Sequence, residues 1–193
     1  MNNRRSIRLK NYDYSANGAY YVTICTQDKL CFFGEIEVKN DDVSNGINQN
    51  LVGAGLVSAR VTQDTEKPKM VLNDIGKMVD TVLHQTMLMF ECVELTKYII
   101  MPNHIHMILL IDNRADTRPA PTTKLGDVIS AFKSKSTTEY IYAVKSGLFP
   151  PFNKRIWQRN YYEHIVRNYD DIKRICYYID HNPSTWVEDK YYN

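Results

Sequence analysis

Two apolar, β-rich runs, CVELTKYIIMP at 92–102 and HIHMILLID at 104–112, are separated by a single asparagine, Asn103. Both runs have strand composition, and the Met101-Pro102-Asn103 junction has the residues of a tight turn. Strands joined by so short a link must lie side by side and antiparallel, because a parallel pair needs a crossover of a dozen residues or more. An antiparallel sheet is therefore the frame that the rest of the chain has to fit.

The remaining segments supply further strands and three helices. AYYVTICTQ (19–27) reads as a strand, and CFFGEIEV (31–38) as a short second one after a turn at 27–29. In 73–90, Ile75, Met78, Val79, Val82, Leu83 and Met87 fall at helical spacing, with Asn73 as N-cap. Residues 125–144 form a helix with Leu125, Val128, Ile129, Phe132 and Lys133 on one side, and 154–167 read as a strand. The last helix is the clearest. Asn168 caps it, Asp170 and Asp171 sit in its first turn, Ile172, Ile175, Cys176 and Ile179 form its apolar stripe, and Pro183 ends it. This order predicts an α+β sandwich: a mostly antiparallel sheet with helices packed on it.

The 193 residues make one domain spanning 1–193, with loop insertions at about 39–69 and 113–123, where periodicity is lost. No apolar run is long enough for a membrane span, and the N-terminus lacks the apolar core of a signal peptide. The four cysteines form no CxxC pair, so a cytoplasmic protein with reduced thiols is expected.

The two insertions are related through the genetic code. The degenerate codons of Val52–Arg60, reverse-complemented and shifted by one base, encode Arg-Ala-Asp-Thr-Arg-Pro-Ala-Pro-Thr, the sequence of Arg114–Thr122. Nine consecutive codons agree, and the match stops on both sides: Val61 does not fit Asn113, nor Leu51 Thr123. We read this as an inverted repeat in the gene, carried where loops tolerate it.

Charge is uneven. The first ten residues carry +4, residues 124–174 carry +5, and the remainder carries −7 within an overall +2. This fits either a polyanion-binding face built from both ends of the chain or a solvated surface of uneven charge.

Alternate strand residues share a face, so His104 and His106 can present two imidazoles to one ion, among Mg, Mn, Zn or Cu, or can be an ordinary surface pair. A third histidine two places on, as in strand-mounted nucleotide hydrolases, is missing: that position is Ile108. On the last helix, Tyr178 and Asn182 are four apart and lie together on the rim of the buried face, where they can reach a sheet-mounted site; Tyr177 and His181 point outward. Without the histidines, Tyr178 reads as an ordinary interfacial tyrosine.

RRSIRLKNYDYS, AYYVTICTQ, MPNHIHMILL, IWQRNYYEHIVRN and RICYYIDHNP, in this order, give the chain its resemblance. It resembles the HUH single-tyrosine transposases of the smallest insertion sequences, and most of all the REP-associated tyrosine transposases, outside about 39–69 and 113–123. The resemblance implies a ferredoxin/RRM-like fold and a metal-dependent single-strand DNA endonuclease and strand transferase acting on hairpin DNA. It implies Mg²⁺ or Mn²⁺ on His104, His106 and Asn182, the last where relatives often carry Gln, and a 5′-phosphotyrosine link on Tyr178 rather than Tyr161 or Tyr162. The partner is single-stranded or hairpin DNA, and such relatives work as monomers or homodimers.

Hairpin recognition calls for cations and stacking aromatics. The candidates are Arg4, Arg5, Arg8, Lys133, Lys135, Lys154, Arg155, Trp157 and Arg159, with Trp157 equally readable as core. The competing readings are a catalytically inactive hairpin binder, a metal-dependent phosphohydrolase without a covalent intermediate, and a structural protein with an incidental histidine pair.

Overall fold

The computed structural model describes residues 12–14, 16–38, 67–113 and 123–192. Arg4, Arg5 and Arg8, and nearly all of both insertions, lie outside the described residues.

The strands are β1 (Gly18–Cys25), β2 (Gly34–Glu37), β3 (Lys69–Leu72), β4 (Val93–Met101), β5 (His104–Ile111) and β6 (Tyr162–Val166). The helices are α1 (Asp74–Met87), α2 (Leu125–Lys145) and α3 (Tyr169–His181), and a 3-10 segment, Asn182–Glu188, follows α3. The main sheet has the order β4-β5-β1-β6, and every neighbouring pair is antiparallel. The β1–α1–β4 connection steps over β5, and β5–α2–β6 steps over β1. Two interleaved split βαβ units of this kind are the ferredoxin-like arrangement, the α+β class that the sequence predicts.

Strand alternation sorts the side chains. Tyr20, Val22 and Ile24 of β1 join Ile105, Met107, Leu109 and Ile111 of β5 in the main core, packed with Val79, Val82 and Leu83 of α1 and Val128, Ile129 and Phe132 of α2. The opposite face carries Tyr21 and Ile108, covered by Ile175 and Ile179 of α3. Helices α1 and α2 thus build the two-layer body, and α3 lies across the other side of the sheet. The expected caps are present: Asn73 Oδ1 accepts from Gly76 N–H, and Asn168 Oδ1 from Asp171 N–H, both at 2.9 Å.

Two segments differ from expectation. Of the strand expected at 154–167 only Tyr162–Val166 forms. Its earlier part meets β1 through the single bridge Thr26–Trp157, and Lys133 Nζ donates to the carbonyls of Gln158, Arg159 and Asn160, removing acceptors that a ladder would use. Strand β3 was not apparent in the sequence. It pairs with β2, Gly34 opposite Leu72 and Glu37 opposite Lys69, in a separate two-stranded sheet. Gly34 has φ of 137°, and a Cβ there would come within 2.0 Å of the Val71 carbonyl oxygen, so the hairpin requires glycine.

Both insertions are closed at their base. Glu37 and Lys69 are strand partners. Asn113 and Thr123 exchange two hydrogen bonds, Asn113 Nδ2–H to the Thr123 carbonyl at 3.2 Å and Thr123 N–H to Asn113 Oδ1 at 3.0 Å.

Candidate active site

Antiparallel register brings the candidate residues together. Thr23 stands opposite His106 and Cys25 opposite His104, so Tyr21, Thr23, His104 and His106 share the face beneath α3. Both histidines are fully buried, and their Nε2 atoms lie 2.9 Å apart. The far nitrogens fix the rings. His104 Nδ1–H donates to Asn103 Oδ1 at 2.8 Å, and His106 Nδ1 lies 2.8 Å from both the Tyr21 hydroxyl and Thr23 Oγ1. Asn103 Oδ1 can only accept, so His104 carries its proton on Nδ1 and its Nε2 offers a lone pair, which in the metal-free site takes the hydrogen bond of His106 Nε2–H.

Asn103 does more than turn the chain. Its side-chain amide donates to the carbonyls of Lys29 and Tyr191, at 3.0 and 2.8 Å, tying the C-terminal residues to the β4–β5 turn. The 3-10 segment then folds over the histidines, with Tyr191 and Trp186 rings 4.6 and 5.8 Å from that of His104.

This return delivers Asp189. Its Oδ2 accepts from the Tyr178 hydroxyl at 3.0 Å and from Asn182 Nδ2–H at 2.9 Å. A carboxylate oxygen of Asp189 and nitrogens of His104 and His106 all lie within 4.8 Å of one another. The expected neighbours Tyr178 and Asn182 therefore do meet, on a carboxylate that sequence reasoning missed. The Tyr178 ring sits 5.1 Å from that of His106.

The arrangement suits a divalent cation. Two imidazole nitrogens 2.9 Å apart and a carboxylate oxygen within 4.8 Å of the histidine nitrogens form a mixed N/O donor set that could hold one. Asn182 is fully buried, its Nδ2–H is on Asp189, and its Oδ1 has no hydrogen-bond partner. Burial holds His104 down at about 4 against the pull of Asp189, and holds His106 well below its usual range, with His104 adding to the effect. The imidazoles are thus neutral near pH 7, and Asp189 supplies the negative charge. Burial, then Asp189, pushes the Tyr178 phenol above its ordinary 10, so its deprotonation calls for a nearby positive charge.

The depressed histidines set a pH dependence of stability. Between about pH 6.5 and 4 the unfolded chain binds protons that the folded site refuses, so this contribution is complete above pH 6.5 and is lost on acidification. Urea unfolding of metal-free protein is expected to show a loss of stability between about pH 7.5 and 4.5 from the histidine pair.

The candidate DNA-contacting residues separate into two groups. Arg155 and Arg159 are exposed and flank a shallow depression against α2, Lys154 is exposed nearby, and Lys135 is half-buried. Trp157 is 5% exposed, packed on Phe33 and Phe132 with its Nε1–H on Ser136 Oγ, so its face is closed to a base. The ammonium of Lys133 is occupied by its three carbonyls. Lys133→Met is therefore expected to cost about 1 kcal/mol in denaturant unfolding, as the half-buried Gln158 carbonyl loses its donor while those of Arg159 and Asn160 are open to water. The slope of log K against log salt for DNA binding stays unchanged.

Comparison with known proteins follows the same residues. The profile of the family described as IS200-like transposases matches residues 60–182, a stretch that holds His104, His106, Tyr178 and Asn182 but stops short of Asp189. An uncharacterized protein of Haemophilus influenzae (strain Rd) is 33% identical over 207 residues, covering 100% of this chain and 94% of that protein. Among solved structures, a REP-associated tyrosine transposase bound to a REP hairpin aligns at TM-score 0.48 and 16% identity, over 98% of this chain and 77% of the other. A candidate transposase of Deinococcus radiodurans R1 aligns at TM-score 0.40 and 15% identity, over 91% and 97%.

Proposed function

The chain belongs to the IS200-like transposase family, and from that premise we propose that it is a metal-dependent single-strand DNA endonuclease and strand transferase whose nucleophile is Tyr178. The observation that carries this reading is the convergence at one point of two histidine Nε2 atoms, the Asp189 carboxylate and the Tyr178 hydroxyl.

His104, His106 and Asp189 would hold the ion, with the free Oδ1 of Asn182 beside them. A divalent cation bound there supplies polarisation of a scissile phosphate and offsets charge on the phenolate. Asp189 Oδ2, the hydrogen-bond acceptor of Tyr178, takes the phenolic proton as the oxygen attacks phosphorus. The P–O bond to the 3′-oxygen breaks, and that oxygen leaves as a 3′-hydroxyl, taking its proton from water while the phenolic proton on Asp189 passes to solvent. The new phosphotyrosine bond replaces the phosphodiester one for one, so the reverse attack by another 3′-hydroxyl rejoins strands without outside energy. Asn103, Tyr21 and Thr23 keep the imidazoles aimed throughout.

Hairpin-forming DNA is the proposed substrate. Its support is the inverted repeat read through the codons of 52–60 and 114–122, and the exposed arginines 155 and 159. The test is incubation with single-stranded oligonucleotides copying that repeat and its flanks, with Mg²⁺ or Mn²⁺, followed by denaturing electrophoresis. A metal-dependent covalent adduct is expected. Cleavage without an adduct would mean a phosphohydrolase, and binding without cleavage an inactive hairpin binder.

A further inference from the structure

A cavity of about 660 Å³ opens beside Tyr178, walled by Tyr21, Tyr162, His164, Arg174, Ile175 and, from the C-terminal segment, Lys190 among others. That volume is in the range of small-ligand sites and suits a single nucleotide. Its floor is a row of tyrosines. Tyr21 stands edge-on to both Tyr178 and Tyr162, at centroid distances of 6.4 and 6.3 Å, so Tyr162 lies one ring beyond the nucleophile. Tyr162 is 43% exposed, and the Lys190 ammonium lies 5.2 Å from its ring centroid and 4.9 Å from that of Tyr191.

The rim carries a tethered cation. One guanidinium nitrogen of Arg174 donates to Asp171 Oδ1 at 2.6 Å, while the Arg174 side chain remains 75% exposed. Asp171 is itself fixed: its Oδ2 lies 2.7 Å from His164 Nε2, and its backbone N–H is held by Asn168. The planar fork is thus anchored at one end, with other N–H donors turned to the solvent side, ready for a phosphate. On the same lining Thr185 and Glu188 offer acceptors that an exocyclic amino group of a base can use.

We propose that this cavity is a subsite for one unpaired nucleotide adjoining the scissile phosphate, its base stacked on Tyr162 and its phosphate held by Arg174. The proposal rests on the reading of Tyr178 as nucleophile but goes further, because it assigns selectivity for an unstacked base to a pocket outside the donor set.

The test uses the full chain carrying Tyr178→Phe and fluorescein-labelled single strands copying the inverted repeat with its flanks. In one series each flanking position in turn is made abasic. Fluorescence anisotropy is expected to show one abasic position that weakens binding about tenfold, the loss of one base–aromatic stack. Tyr162→Ala should weaken binding of the intact strand by a similar factor and abolish the abasic penalty, whereas Tyr162→Phe, which keeps the ring, should preserve both. Arg174→Gln should reduce the salt slope by about one phosphate contact. Additive effects of the abasic position and Tyr162→Ala, or binding indifferent to Tyr162, overturn the subsite. The adduct assay on the otherwise unaltered chain separates the two ideas. An adduct formed equally well by Tyr162→Ala protein on intact and abasic strands leaves the nucleophile assignment standing while the subsite fails. No adduct, with the Tyr162 coupling intact, leaves the pocket standing while the chemistry fails.

Discussion

Tyr178→Phe is expected to lower covalent adduct formation by at least about a thousandfold while leaving DNA affinity within about twofold. The substitution removes one oxygen and keeps the ring that packs against His106 and stands edge-on to Tyr21. The side chain is 37% exposed, so loss of the hydroxyl and its hydrogen bond to Asp189 has little effect on folding. What it cannot keep is the hydroxyl proposed as nucleophile, and enzymes that lose their nucleophile retain only the contribution of binding and electrostatics. Tyr177→Phe is the control. Tyr177 is adjacent in sequence but 65% exposed, stacked on His181 at 3.8 Å on the outer side of α3, and its loss should leave the adduct unaffected. A denaturing gel with radiolabelled strand reads both, and an adduct persisting in Tyr178→Phe would reassign the nucleophile.

Asp189→Asn is expected to raise the metal concentration for half-maximal adduct formation by at least about tenfold, and to slow the saturated rate by about a hundredfold. The variant is nearly isosteric but strips the site of its charge, since burial keeps both histidines neutral. It also leaves one carbonyl oxygen for the three donors, Tyr178 O–H, Asn182 Nδ2–H and Tyr191 N–H, that two carboxylate oxygens now serve. Without the carboxylate Tyr178 is more acidic than in the parent protein, because Asp189 is part of what pushes it up. A more acidic phenol with a slower reaction is therefore the signature that the carboxylate serves the cation and the proton, not merely the tyrosine's position. Titration of Mn²⁺ against initial adduct rate separates these terms, and an unchanged metal requirement would remove Asp189 from the donor set.

How much of this was legible in the sequence depends on what kind of regularity placed each residue. His104 and His106 could be paired from strand alternation alone, and Tyr178 and Asn182 from helical spacing, because both are local periodicities. Their convergence on one site followed only from resemblance. Register explains it: Thr23 opposite His106 is set by the sheet order, which no local pattern encodes. Asp189 was out of reach for a further reason. It follows Pro183 through a 3-10 segment whose path is fixed by Asn103 binding the Tyr191 carbonyl, a contact 88 residues apart in sequence. Trp157 and Lys133 illustrate the converse. Composition marks them as an aromatic and a cation in a basic block, but whether such groups face water depends on what packs over them. Here Phe33, Phe132 and three carbonyls do.

The closures at Glu37–Lys69 and Asn113–Thr123 bear on how such a gene can change. Each brings the chain back to where it left, so the cost of what lies between grows only with the logarithm of its length. A locus of this kind lets the reading frame act as host: palindromic DNA can settle, lengthen or decay between the two clamps, subject to the demand that the frame stay open. The protein's two clamps therefore mark where its own gene can evolve as nucleic acid first and as polypeptide second.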